Sequence, residues 1–186
     1  VCYGGCLYEK ELKDASFSLR WKYGHHRESC SAAQREKYPN TGFRTNNFLI
    51  DRNIFNDITF NEEITEYGHE DTLFGTDLKA IGIVVRHIDN PLIHLGLEDN
   101  RTFLKKTEIS LTNLNWIEQH LKEKNIPSEH YFRIIRTRNI LKKIHLYKFT
   151  VFFFKIFRSV LRKNLCGKHP NLLLFDFYRL GFFCYL

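Results

Sequence analysis

Two adjacent carboxylates, Glu70 and Asp71, stand behind Gly68-His69 and just ahead of an apolar run. A carboxylate in the first turn of a helix faces unpaired N–H groups, which favour its ionised form and hold it in place. Held so at the rim of a cleft, it can take a proton from a hydroxyl as that hydroxyl attacks, which is general-base chemistry. The same two residues would also serve as nothing more than a helix cap. A second constellation, Cys2, Cys6, His25, His26 and Cys30, contains only groups that ligate zinc, but its spacing matches no common zinc pattern. The five cysteines are odd in number and include no Cys-x-x-Cys pair, so reduced thiols are expected rather than a disulfide framework.

The elements around the carboxylates follow from pattern. Residues 1–8 suggest a short strand, and residues 12–38 have the composition of a loop studded with Phe17, Trp21 and Tyr23. Asn46 to Ile50 reads as a buried strand, after which Asp51 is placed to cap a short helix through Ile54 and Phe55. Beyond Asp71, the spacing of Phe74, Leu78 and Ile81 predicts a helix with one buried face, stopped by Gly82. Ile83-Val84-Val85 is then expected as a strand, and Leu92 to Gly96 as a turn-bounded apolar segment carrying His94. From Asp99, an N-cap, the residues Leu104, Leu111, Leu114, Ile117 and Leu121 mark a long amphipathic helix that ends before Pro127. Short strands alternating with helices indicate an α/β body.

At 186 residues, with 43% hydrophobic and 15% aromatic content, the chain is long enough for one domain with a substantial, Phe-rich core. It contains no methionine, and Val1 to Gly5 reads as the inside of a strand ending in a turn, so a longer protein is expected. The net charge of +7 is unevenly spread. Residues 130–186 carry 12 basic side chains and 1 acidic one, whereas residues 1–129 carry 16 basic and 20 acidic. The expected organisation is therefore a mildly acidic body, 1–128, bearing a basic, aromatic-rich helical tail, 129–186, suited to an anionic partner.

Four separated stretches occur here in the order in which they occur in bacterial members of glycosyltransferase family 2. They are Leu19-Arg20-Trp21-Lys22-Tyr23-Gly24, Thr45-Asn46-Asn47-Phe48-Leu49-Ile50, Tyr67 through Gly75, and His87 through Asp99. With the closing Asn171 to Gly181, the resemblance extends over nearly the whole chain. It implies an α/β fold of the GT-A (nucleotide-diphospho-sugar transferase) type, present in part, and inverting transfer of a sugar from a nucleotide-sugar donor to a hydroxyl. The product would be a surface polysaccharide or lipopolysaccharide, built on a glycan or lipid-linked acceptor. In this setting Asp71 is the implied base, Glu70 grips the acceptor beside it, and Gly68, His69, Trp21, Asn46 and Asn47 line the acceptor site. Such enzymes hold a divalent metal, Mg²⁺ or Mn²⁺, with an Asp-x-Asp stretch and a later histidine, a role that falls to His94, with His69 and His87 as weaker choices. A core histidine bonded to backbone is the alternative for His94. No Asp-x-Asp occurs here, and Asn61 follows Phe60 where an acidic residue is expected. The metal is therefore expected with an N-terminal nucleotide-binding half that the chain lacks, and a non-catalytic remnant is the competing reading.

Along residues 145–163, Lys148, Lys155 and Arg162 recur every seventh residue with Arg158 close to the same face, among Leu, Val, Phe and Ile. This predicts an amphipathic helix on an anionic membrane surface, and a peripheral place at the cytoplasmic face of the cell membrane. Packing against the body, with the basic edge solvated, would give the same pattern. Nucleic acid is disfavoured because Phe152-Phe153-Phe154 form a block rather than spaced stacking platforms.

Overall fold

The structure is a computed structural model that describes every residue of the chain except Thr65. It is mixed α/β and about 59% helical. In chain order the elements are β1 (Cys2–Tyr3), β2 (Cys6–Tyr8), α1 (Ser18–Tyr23), α2 (Ala32–Arg35), β3 (Phe48–Leu49), α3 (Arg52–Asp57), α4 (Glu70–Ala80), β4 (Arg86–His87) and β5 (Leu92–His94). The helices α5 (Asn100–Glu123), α6 (Arg133–Lys143), α7 (Tyr147–Leu165) and α8 (Leu172–Tyr185) complete the chain. They divide into two compact units, one of Val1–Glu11 and Trp21–Leu97, the other of Leu12–Arg20 and Glu98–Leu186. The long helix α5 thus groups with the basic helices, and the boundary expected at residue 128 falls at residue 97.

In the first unit β1 is central, antiparallel to β3 and parallel to β4, while β2 pairs in parallel with β5. Tyr3, Phe43, Phe74, Leu78 and Val85 form its buried core, with Phe48, Phe55 and Phe60 packed around them. Phe74 stacks on Phe60 at 4.4 Å and meets Phe43 at 5.8 Å, so aromatic rings join the buried Leu73 and Leu78 in holding α4 in place. The N-cap role of Asp51 is realised, its carboxylate accepting from the Asn53 N–H at 2.8 Å.

Four local expectations are corrected. Residues 12–38 contain α1, a π-helical turn over Gly24–Glu28, and α2, in place of a loop. Thr45–Asn47 forms a 3-10 turn, leaving only Phe48–Leu49 extended, with Leu49 largely exposed. Helix α4 ends sooner than its apolar spacing suggests. Gly82 adopts φ of 81° and its N–H reaches Lys79 O at 3.0 Å, while the Ile83 N–H reaches Leu78 O at 2.9 Å. This paired C-terminal closure turns the chain away before Ile81 can face the core, and Ile81 is 53% exposed. The strand expected at Ile83-Val84-Val85 forms one step later, at Arg86–His87, with Val85 alone buried.

In the second unit, Asp99 caps α5 by accepting from the N–H groups of Arg101 and Thr102 at 2.9 and 3.1 Å. Leu104, Leu111, Leu114, Ile117 and Leu121 are all buried, as their spacing predicts. Helix α7 packs chiefly on α8. Glu108 of α5 lies against both, receiving Arg162 Nη1 at 2.6 Å and the Tyr178 hydroxyl, with Arg158 at 3.6 Å. Arg158 also lies over the rings of Phe154 and Phe182. Lys155 lies over the Tyr185 ring of α8 at 5.1 Å, so three of the four cations expected to meet a membrane contact neighbouring helices.

The end of α6 repeats the closure of α4, with His145 at φ of 60° in the glycine's place and the Leu146 N–H on Leu141 O at 2.9 Å. A side chain in this left-handed conformation costs about 1–2 kcal/mol, whereas glycine loses about 0.5–1 kcal/mol more backbone entropy on folding. His145 is exposed, so nothing else is lost on truncation. The variant His145→Gly is expected to be more stable by about 0.5–1 kcal/mol, read as a raised urea midpoint with unchanged slope.

Candidate functional site

The carboxylate pair stands where the sequence places it, in the first turn of α4. The chain enters that helix through Gly68 at φ of 104° and His69 at 74°, two consecutive left-handed residues that swing it sharply into the first turn. Asp71 is half-buried, and its Oδ1 accepts from the Thr45 N–H at 3.1 Å. It is therefore anchored by a backbone amide and is neither sealed in the core nor fully solvated. Glu70 is half-buried as well, and its Oε2 is shielded from water with no hydrogen-bond partner among the described residues. An unsatisfied buried carboxylate oxygen is costly in a native structure and is a place where a ligand donor would be accommodated.

Thr45 opens the turn that carries the two asparagines. Asn46 is exposed, whereas Asn47 spends both amide hydrogens on backbone, reaching Gly5 O at 2.9 Å and Asn90 O at 2.8 Å. The Gly4 N–H returns a bond to Asn47 O at 2.9 Å. Asn47 is thus a clamp between the turn after β1 and the loop after β4, and of the two amides Asn46 is the one open to a ligand. Gly5 O also accepts from the Leu92 N–H at 3.3 Å, which ties the same turn to β5 and so to His94.

His94 lies in an aromatic cluster. Its ring is 5.5 Å from Tyr8, which is 5.9 Å from His25, and His25 is 4.3 Å from Trp21. The Trp21 Nε1–H donates to Glu9 O at 2.8 Å, and the Tyr8 hydroxyl donates to Glu28. Tyr8 fits because Gly24 has no side chain, since a Cβ there would overlap its ring. Trp21 is half-buried, with its indole N–H committed and His25 against its ring. No group of three or more His, Cys, Asp or Glu side chains among the described residues is arranged to hold a metal ion. Among the described residues His94 would by itself supply one ligand. The zinc grouping of Cys2, Cys6, His25, His26 and Cys30 does not assemble, and all five cysteines are free.

His87 is buried with both ring nitrogens engaged and is removed from the metal candidates. Its Nδ1 accepts from Arg35 Nε at 3.1 Å, which fixes the proton on Nε2, donated to Pro39 O at 2.9 Å. Arg35 is itself buried and also donates to Cys30 O, to Ile88 O at 2.8 Å and to Gly4 O at 3.4 Å, with its guanidinium over the Tyr3 ring. Burial pushes the Tyr3 phenol up to about 12. Asp89 completes the arrangement by accepting from the Ala32 N–H at 2.8 Å, so it caps the helix that delivers Arg35. Arg35, Tyr8 and Glu28 are the organising residues that sequence alone did not single out. For Tyr8 the inward alternation Cys6-Leu7-Tyr8 was the available signal, and for Arg35 there was none.

No protein-family model matches the sequence, and no curated protein or solved structure is significantly similar to it.

The His87 contacts carry a pH dependence. Burial lowers its affinity for protons, and the adjacent Arg35 charge lowers it further. In the window from the ordinary value of 6.5 downward, the unfolded chain takes up a proton that the folded one refuses, so stability is complete above that value and falls as pH drops. The denaturant midpoint is expected to fall between about pH 7.5 and about pH 5.5, a range centred on the imidazole titration. The decline should be shallower in His87→Gln.

Proposed function

We propose that the chain is the acceptor-side part of an inverting, nucleotide-sugar-dependent glycosyltransferase resembling family 2, with Asp71 as the general base. The observation that carries this reading is the setting of Asp71: in the first turn of α4, half-buried and pinned by the Thr45 amide, beside a Glu70 oxygen that has no hydrogen-bond partner among the described residues. Support also comes from the interlocking of the stretches that carry the resemblance. The turn at 45–47 holds Asp71 through Thr45 and Asn90 through Asn47, and all three lie in the first unit.

In this reading a sugar or lipid-linked hydroxyl approaches between Asn46 and Glu70. The Glu70 oxygen accepts one acceptor hydroxyl and thereby orients the other toward Asp71. As the nucleophilic oxygen attacks the anomeric carbon, Asp71 takes its proton and the nucleoside diphosphate departs from the opposite face, which inverts the configuration. A fixed carboxylate needs no reorganisation at that moment. The GT-A architecture, the donor and its divalent metal belong to the same proposal. Within it the protein works peripherally at the cytoplasmic face of the membrane, in assembly of a surface glycan. Among the described residues, no helix is long and apolar enough to cross a membrane.

The test uses the full-length protein and a panel of nucleoside-diphosphate sugars with glycan and lipid-linked acceptors. Asp71→Asn is expected to lower kcat by on the order of 10²- to 10⁴-fold while leaving the donor KM in place. Glu70→Gln should act mainly on the acceptor KM. Full turnover in Asp71→Asn removes Asp71 from the base role, and absence of transfer from every donor is the outcome for a non-catalytic remnant.

A further inference from the structure

Helix α7 exposes an apolar face. Phe149, Phe152, Phe153, Ile156, Phe157 and Val160 recur at intervals of three and four residues, and each is between 46% and 65% exposed. They therefore form one continuous stripe along the helix, about 17 Å long at 1.5 Å per residue. The opposite face is occupied: Phe154, Leu161 and Leu165 are buried, and Arg158 and Arg162 meet Glu108. A stripe of this size, four of its six side chains being phenylalanine, is far from the scattered apolar exposure of an ordinary surface.

The charges around the stripe say what covers it. Lys148 and Lys155 lie along one border and Lys163 follows at its C-terminal end, all three exposed. Lys142 and Lys143, also exposed, immediately precede α7 at the end of α6. From His130 to Phe175 there is no Asp or Glu. A second copy of the chain laid against this face would thus offer no carboxylate from that segment to meet the lysines. A surface that takes up aromatic side chains and presents anions at its edge would satisfy both halves of the pattern.

We propose that α7 is a membrane-surface helix that inserts the stripe Phe149 to Val160 into the boundary of an anionic phospholipid bilayer, with Lys148 and Lys163 at the headgroups. The helix lies in the plane of the surface. The pairing of Arg158 and Arg162 with Glu108 distinguishes this arrangement from a purely electrostatic contact, because these two cations hold the helix to α5 and the aromatic side chains provide the grip on lipid. The inference concerns a different unit from Asp71 and stands whether or not sugar transfer occurs.

The experiment is co-sedimentation of the full chain with vesicles of phosphatidylcholine alone and of phosphatidylcholine mixed with phosphatidylglycerol. At about 0.1 M salt, binding to the mixed vesicles is expected to be at least about tenfold tighter, and at about 0.5 M salt it should fall toward, but not below, the level seen with phosphatidylcholine alone. The triple variant Phe152→Gln, Ile156→Gln, Val160→Gln alters exposed positions only, so its far-UV circular dichroism should match the parent while binding falls by about tenfold or more. Lys148→Gln with Lys163→Gln should weaken binding to the anionic vesicles on the order of fivefold per lysine and leave the neutral ones unchanged. The proposal is overturned if the triple variant binds like the parent, or if the parent binds neither vesicle. It is equally overturned if salt abolishes binding, as for a phosphate-backbone ligand, or if the stripe instead joins a dimer that the triple variant dissociates and vesicles do not compete.

Discussion

The first unit is organised around one buried cation. Arg35 places a guanidinium where water cannot reach it and surrounds it with the carbonyl oxygens of Cys30, Gly4 and Ile88 and the imidazole nitrogen of His87. A charge so placed is tolerated only if its donors are satisfied, and here three stretches of chain, residues 30–35, the turn at Gly4 and residues 87–88, must be in register to do so. The consequence is geometric. Once Arg35 holds the turn after β1 and the segment after β4, Asn47 can bridge those same two segments, and the 45–47 turn is fixed at the height where its amide meets Asp71. The candidate base therefore owes its position to a cation that makes no contact with it.

The two units use arginine in opposite ways. In the first, the guanidinium is held by dipoles and adds to burial in lowering a neighbouring histidine's affinity for protons. In the second, Arg158 and Arg162 converge on the single carboxylate of Glu108, together with the Tyr178 hydroxyl, whose own proton affinity is raised by burial and by that carboxylate. One acid thereby gathers the cationic helix α7 and the tyrosine of α8, and the hydrogen bonds to a charged acceptor are of the stronger kind.

What the sequence made legible was local. Asp51 and Asp99 as caps, Gly82 as a stop, and the five leucine and isoleucine positions of α5 depend on neighbours within a turn or two, and the structure realises them all. The carboxylate pair at the start of α4 was legible for the same reason. The rest depended on distant partners. Residues 12–38 resemble a loop because their polar and charged side chains satisfy one another only after folding, as Arg35 shows with His87, fifty-two positions away. The seven-residue repeat of basic residues correctly announced a helix at α7. Nothing near Arg158 or Arg162, however, reveals that Glu108 will pair with them. Asn46 and Asn47 look equivalent in sequence, and only the fold separates the exposed amide from the committed one.

Glu108 has a further implication for biosynthesis. It lies on α5, and the arginines that need it follow some fifty residues later. On the ribosome the acid emerges first and can already be displayed on a formed helix when the cationic segment appears. Reversing that order, as a circular permutation would, leaves a self-repelling chain waiting in solution with its phenylalanines uncovered, where premature association with other nascent polypeptides is the competing fate.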